Sequence, residues 1–276
     1  MRKSSINSSR KECTPNPKEA KNERSNSGNS KGRISVVGIG PGSADQMTPN
    51  AHGAIENADV VIGYKTYIEL IREIIKPNVE VVSGTMGREV DRAKTAVIKA
   101  LEGKDVVVVS SGDPGVYGMA GVVLEAAAFE KADVPIEIVP GVTAATAAAS
   151  RLGAPLVTDF AVISLSDLLT PWELIEKRLN AAAEADFVIV LYNPQSLGRK
   201  KPLAKAHEIL LKHRKPTTPV GIVKQAGRDG EETIIASLDE LLAKGVDMAT
   251  TVIVGNSTTK IVNGKMVTPR GYDLSR

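Results

Sequence analysis

The chain has 276 residues, 42% hydrophobic, 24% charged and 3% aromatic, a globular composition at a length that suits two domains better than one. Its net charge of +3 combines +5 in the first 32 residues, which hold eight basic and three acidic side chains, with −2 in positions 33–276, which hold 27 basic and 29 acidic residues. A slightly acidic body excludes a nucleic-acid-binding face, and the one cysteine, Cys13, lies outside it, which excludes a disulfide framework or a thiolate metal cluster there.

Residues 1–32 are rich in Ser, Asn, Lys and Arg, with only Met1, Ile6, Cys13 and Ala20 from the apolar set, so a disordered basic tail is expected. Glu12, Glu19 and Glu23 and the missing apolar face make an organellar transit peptide the weaker reading. The tail has no apolar core of a secretory signal, and no run approaches the ~18–20 apolar residues that span a bilayer. A soluble, cytoplasmic protein with no membrane partner is the expectation.

From Arg33 short β-branched runs alternate with helical patterns, the signature of an α/β fold with a mostly parallel sheet. Strands are predicted at 34–39, 59–62, 79–82, 106–110 and 136–139. Helices are predicted at 48–57, 64–75, 89–101, 117–131 and 143–152; the first opens on Thr48-Pro49, a good start signal. After Gly153-Ala154-Pro155 the pattern restarts, dividing the chain into domains at 33–154 and 155–276. The second has predicted strands at 160–165, 187–192, 219–224, 233–236 and 250–254, and helices at 171–183, 202–213 and 238–244. Asn263-Gly264 between two apolar runs signals a C-terminal hairpin, so the second sheet should be mixed.

Three loops at strand ends stand out: Val37-Gly38-Ile39-Gly40-Pro41-Gly42, Ser110-Ser111-Gly112-Asp113-Pro114-Gly115-Val116-Tyr117-Gly118, and Val139-Pro140-Gly141-Val142-Thr143-Ala144. A dinucleotide fingerprint from Gly38 would need glycine at position 43, which is Ser43, and Pro41 removes a backbone donor. Taken alone, the first loop has a tight strand-to-helix turn as its competing, weaker reading. Together the three should converge beyond the carboxyl ends of a parallel sheet, where small side chains favour recognition of a polyfunctional cofactor through main-chain groups. His52, His207 and His213 lack ligand spacing and are expected on exposed helix faces, so no metal site is assigned. Ser110 and Ser111 have no nucleophile elbow around them.

In these three loops the chain resembles the tetrapyrrole (precorrin) methyltransferases, and the resemblance covers essentially all of 33–272. Four further stretches resemble the members that methylate C17 of precorrin-3B or cobalt-factor III with ring contraction: Gly63-Tyr64-Lys65-Thr66-Tyr67, Gly84-Thr85-Met86-Gly87-Arg88-Glu89-Val90, residues 163–172, and Leu191-Tyr192-Asn193-Pro194-Gln195-Ser196. One departure is Thr158, where those members usually carry histidine; no role of that histidine is carried over. The resemblance implies S-adenosylmethionine held between two α/β domains, an anionic tetrapyrrole substrate and a homodimer. By motif it implies cofactor contacts from Pro41, Ser111, Gly112, Asp113, Val116, Thr143, Ala144, Asn193 and Gly227.

The carboxylates of such a substrate call for cations, and the candidates are Lys65, Arg88, Arg92 and Arg199 or Lys200, each otherwise a solvated surface charge. Arg88 leads because it follows a Gly-Thr-Met-Gly turn at a predicted helix start. Asp113 reads as a cofactor-binding or loop-fixing acid rather than a general base, and Asp167 as an N-cap or structural acid as readily as a proton carrier. Methyl transfer needs no obligatory base, so the catalytic residue stays unassigned. A superfamily member with another target, a non-catalytic tetrapyrrole- or nucleotide-binding module, and a nicotinamide oxidoreductase are the competing readings.

Overall fold

The computed structural model describes residues 32–195 and 201–275. Residues 1–31 of the basic tail, including Cys13, and the candidates Arg199 and Lys200 lie outside the described residues.

The first sheet contains β1 (Arg33–Gly38), β2 (Val60–Tyr64), β3 (Glu80–Gly84), β4 (Asp105–Ser110) and β5 (Ile136–Val139), in the order β3-β2-β4-β1-β5. Every pairing in it is parallel. Near-continuous Val/Ile runs build the central strands β1, β2 and β4 because both their faces are covered, whereas the edge strands β3 and β5 stay largely exposed. Val37, Val61, Val107 and Val109 pack on one face with Ala51 and Ile55 of α1 (Pro49–Glu56) and Ile68 of α2 (Lys65–Leu70). Val36, Val60, Ile62, Val106 and Val108 pack on the other with α3 (Glu89–Leu101) and α4 (Ala120–Phe129). The neighbours β1 and β4 send their following loops to opposite sides, β1 towards β2 and β4 towards β5. That reversal opens a crevice at the carboxyl ends of the strands.

The chain crosses to the second sheet through α5 (Ala144–Leu152) and the short β6 (Gly153–Ala154). The second sheet orders its strands β10-β9-β11-β8-β7, built from β7 (Phe160–Ser164), β8 (Val188–Tyr192), β9 (Pro219–Lys224), β10 (Glu232–Ser237) and β11 (Thr250–Val254). It is mixed: β7 and β8 are parallel, and β11 runs antiparallel to β8 and β9. One face carries α6 (Trp172–Glu184) and α7 (Lys201–Leu211). The other is covered by α5, whose Ala145, Ala148, Ala149 and Leu152 pack on Val188, Val190, Val223 and Ile253. Gly221 makes room for this helix, since a Cβ there would collide with the Leu152 side chain.

The hairpin forms where Asn-Gly predicts it, between β12 (Lys260–Val262) and β13 (Lys265–Val267), with Asn263 at φ +48° and Gly264 at +73°. Its further partner is β6, not a strand of the second sheet. Three other expectations shift. The helix predicted at 64–75 stops at Leu70, and i to i−3 bonds at Ile71 and Ile74 lead to Lys76-Pro77, where proline disfavours helix. The helix predicted from 117 starts at Ala120, because Tyr117 holds φ +53°. Residues 238–244 form a turn with a 3-10 segment at Leu241–Ala243.

Candidate functional site

At the carboxyl edge of the first sheet the three glycine-rich loops lock together through their backbones. Ile39 N–H donates to the Ser110 carbonyl at 3.0 Å, Gly40 N–H to the Gly112 carbonyl at 3.0 Å, and Val142 N–H to the Gly40 carbonyl at 3.4 Å. A Cβ on Gly38 would lie 2.6 Å from the Gly112 oxygen and 2.7 Å from the Gly141 nitrogen, and one on Gly40 would strike Val142 and Gly112. These glycines let loop approach loop, which precedes any approach to a ligand. Asp113 fastens the assembly: its Oδ1 accepts Gly115 N–H at 2.8 Å and its Oδ2 accepts Gly141 N–H at 3.1 Å. Both oxygens are therefore engaged in holding the loop after β4 to the loop after β5.

The second sheet supplies the facing wall. Tyr117 reaches over to the edge strand β7, where its hydroxyl donates to the Val162 carbonyl and accepts Ser164 N–H, both at 3.2 Å. Tyr192, at the end of β8, packs its ring 5.8 Å from that of Tyr117. Its hydroxyl accepts Ala145 N–H at 2.7 Å and meets Thr143 Oγ1 at 2.6 Å, satisfying the start of α5 that Thr143 leaves without a side-chain cap. Burial raises the Tyr192 hydroxyl above its ordinary value despite these bonds. Asn193, at φ +50°, donates from Nδ2 to Ser164 Oγ at 2.9 Å.

The loop after β9 closes the side near β1. Gly227, at φ +72°, is pressed against the first loop: a Cβ would lie 2.7 Å from Gln46 Oε1 and 2.8 Å from Pro41 Cγ. Its N–H donates to Glu231 Oε2 at 2.6 Å. That bond, aided by the Arg151 guanidinium 2.8 Å from Glu231 Oε1, holds the Glu231 carboxyl below the usual range. Between these walls lies a cleft of about 410 Å³, within the ~300–1,000 Å³ of small-molecule sites.

Of the residues singled out from sequence, Pro41, Ser111, Gly112, Asp113, Val116, Thr143, Ala144 and Asn193 all line this cleft. Gly227 stands just behind it, between Ala226 and Arg228, which do line it. Lys65 and Arg88 are exposed and outside the lining, and Arg88 Nε pairs with Asp91. Arg92 does line the cleft at 7% exposure, its guanidinium donating to the Thr85 carbonyl at 2.7 Å and to Glu89 Oε1 at 2.9 Å. Burial alone would raise the Glu89 carboxyl; hydrogen bonds from its own N–H, Arg92 and Gly87 outweigh it and hold the group low. Asp167 does not cap α6, whose N-cap is Pro171; it sits on the exposed loop between the lining residues Ser166 and Leu168.

His207 departs from the exposed position expected for it: it is buried, with Nε2 2.9 Å from the Leu238 carbonyl. His52 Nδ1 lies 3.5 Å from Glu56 Oε2 on a partly exposed helix face, His213 Nε2 lies 3.1 Å from Asn180 Oδ1, and none of the three histidines lines the cleft. Sequence reasoning missed Arg228, which lines the cleft with its guanidinium 6.0 Å from the Tyr67 ring centre. The signal was its place one residue after Gly227. No described helix is long and apolar enough to cross a membrane.

A family model described as Tetrapyrrole (Corrin/Porphyrin) Methylases matches residues 33–242. A probable cobalt-factor III C(17)-methyltransferase of Salmonella typhimurium is 51% identical over 241 residues, 87% of this chain and 100% of the relative. The cobalt-factor III methyltransferase of Priestia megaterium is 50% identical over 246 residues, 88% of this chain, and there the chain spans only 45% of the relative's length. Among solved structures, the methyltransferase CobJ superposes with a TM-score of 0.81 at 37% identity, covering 86% of this chain and 100% of that one.

Proposed function

Because the chain belongs to the tetrapyrrole (corrin/porphyrin) methylases, we propose that it methylates C17 of an anionic tetrapyrrole, with contraction of the macrocycle, as a step of cobalamin biosynthesis. S-adenosylmethionine is the methyl donor in this reading. The observation that carries it is the coincidence of two things. The three interlocked loops face the loops after β8 and β9 across one cleft, and 51% identity extends over the full length of a relative named for that reaction. Both curated relatives described above carry cobalt-factor III in their names, which favours the cobalt-containing ring over precorrin-3B as substrate.

The residues present fit the donor. The wall formed by Ser111, Gly112, Val116, Thr143 and Ala144 is built mainly of backbone and short side chains, and the glycine interlock keeps it rigid. When bound, the donor supplies an electrophilic methyl group on a sulfonium whose leaving group is neutral, so positioning rather than proton transfer dominates the barrier. Pro41 and Gly227 set the floor on the β1 side, and Asn193 and Ala226 face it from the second sheet. Backbone carbonyl dipoles facing the sulfonium would favour its positive charge, and exclusion of water on binding would favour transfer over side reactions. Asp113, with both oxygens engaged by backbone N–H groups, acts as a loop-fixing acid.

The same reading makes the protein a cytoplasmic homodimer whose subunits divide into domains at 33–154 and 155–276; light scattering on the purified chain tests the dimer. Turnover is tested by incubation with S-adenosylmethionine and either cobalt-factor III or precorrin-3B, with mass spectrometry of the product. Gain of one methyl group on the cobalt form is expected. No methylated product from either ring would contradict the proposal.

A further inference from the structure

Four charged side chains line the cleft among the described residues: Glu89, Arg92, Asp113 and Arg228. Three have their charge committed. Glu89 and Arg92 pair with each other at 2.9 Å, Arg92 also donates to the Thr85 carbonyl, and both Asp113 oxygens accept backbone N–H groups. Arg228 differs. Its backbone N–H donates to the Gln225 carbonyl at 2.9 Å and its carbonyl accepts Glu231 N–H at 3.2 Å, while its guanidinium lies beside Gly42 and 6.0 Å from the Tyr67 ring centre with no hydrogen bond or ion pair among the described residues. The neighbouring carboxylate, Glu231, is taken by Gly227 N–H and Arg151.

Geometry fixes where this cation points its chemistry. Gly42 is buried directly beneath the Arg228 stem, so that a Cβ at Gly42 would strike Arg228 Cγ and lie 2.7 Å from the Gly227 carbonyl oxygen. The stem is thus clamped on the loop after β1. The head lies 6.0 Å from the centre of the Tyr67 ring on α2, which follows β2, at the outer edge of cation–π range, and the fork of N–H donors is unspent. In the sheet order β2 and β5 lie on opposite sides of β1. Arg228 therefore stands on the side of Tyr67, whereas Thr143 and Ala144, which follow β5, lie across β1 from it; the other donor-wall residues, Ser111, Gly112 and Val116, follow β4 next to β2, so the donor's affinity must be measured alongside that of the macrocycle.

We propose that Arg228 is the carboxylate-recognising residue of the cleft, pairing bidentately with a carboxylate of the tetrapyrrole and so setting the orientation of the ring against the methyl donor. The assignment rests on the functional reading above and adds to it a specificity-determining residue. A planar fork matches a carboxylate in a way that a lysine point charge does not. The close approach of the stem to Gly42 restricts the fork before the substrate arrives, which limits the entropy lost on binding.

The test compares wild type with Arg228→Gln and Arg228→Lys by three measurements: KM for cobalt-factor III, Kd for S-adenosylmethionine by calorimetry, and the thermal transition. Loss of one charge-assisted bidentate pair should raise the KM of the Gln variant by roughly 10- to 50-fold, with donor Kd within about twofold of wild type. The Lys variant should fall between the two. An unchanged macrocycle KM in Arg228→Gln overturns the assignment, as does a rise in donor Kd with unchanged macrocycle KM, which would give the cation to the donor's own carboxylate. If the Gln variant does not fold, the Lys variant decides, and a wild-type KM there overturns bidentate pairing. Failure of the wild type to turn over is a different result: it removes the functional reading itself.

Discussion

Replacing Asp113 by asparagine separates a loop-fixing acid from a general base. The wild-type carboxylate gives one oxygen to Gly115 N–H at 2.8 Å and the other to Gly141 N–H at 3.1 Å. Asparagine keeps one acceptor and turns an NH2 group towards the second donor, so one hydrogen bond is lost and the other loses its charge assistance. Net contributions of bonds to a charged acceptor are ~1.5–3 kcal/mol; for a half-buried group the lower half applies, and about 2 kcal/mol of stability should disappear. Part of that loss should reach the donor, because the loops after β4 and β5 carry five of its assigned contacts besides Asp113 itself. If all 2 kcal/mol were coupled, Kd would rise ~30-fold, so a rise of roughly five- to thirtyfold is expected. Urea denaturation gives the stability, calorimetry the donor affinity, and saturating-donor turnover gives kcat, which should stay within about threefold of wild type. A variant of unchanged stability and affinity whose kcat fell more than about a hundredfold would refute this reasoning and make Asp113 a proton-transfer residue.

Three other outcomes follow from particular contacts. Tyr192→Phe leaves Ala145 N–H without its acceptor and frees the Thr143 hydroxyl, so stability should fall by about 1–2 kcal/mol and donor affinity should weaken; equal donor Kd values by calorimetry would detach Tyr192 from the site. Arg214, 7% exposed, donates to the Ala183, Phe187 and Gly255 carbonyls and pairs with Asp186 at 3.3 Å. Arg214→Met should cost about 3 kcal/mol in urea denaturation while leaving donor affinity unchanged. Glu231 has a lowered folded-state pKa, chiefly from Gly227 N–H. Its contribution is therefore complete above the ordinary carboxylate range and is lost as pH falls through the lowered value. Glu231→Gln should flatten the acid limb of the stability profile, and an unaltered limb would contradict this.

Much of the fold was legible because the parallel sheet is written in Val/Ile runs that stand apart from their surroundings, as in Val106 to Val109. What escaped depended on partners distant in sequence. Gly153-Ala154 becomes a strand only because the C-terminal hairpin pairs with it, and Tyr117 is pulled out of helical geometry by the edge of β7. Leu238 and Leu241 are both buried at helical spacing, yet Ser237 binds Glu240 Oε2 through its N–H and hydroxyl, turn chemistry that a short apolar pattern cannot reveal. For the site, the motif residues in the loops converged because strand ends of one parallel sheet must share an edge. The cations were harder. Arg92 falls in register with Ala93, Ala96, Val97 and Ala100 on the buried stripe of α3, a signal available in sequence, whereas Arg88 lies before the helix starts. Arg228 gave no periodic signal, since its position is set by contact between two loops nearly 190 residues apart in sequence.

The most direct measurement is the fate of a carbon-13-labelled methyl group carried into the reaction on S-adenosylmethionine with cobalt-factor III. The site described here predicts a single labelled methyl resonance, attached to C17 of a ring-contracted product. Label at another ring carbon, or label retained entirely on the donor with folded, donor-saturated protein, would contradict it.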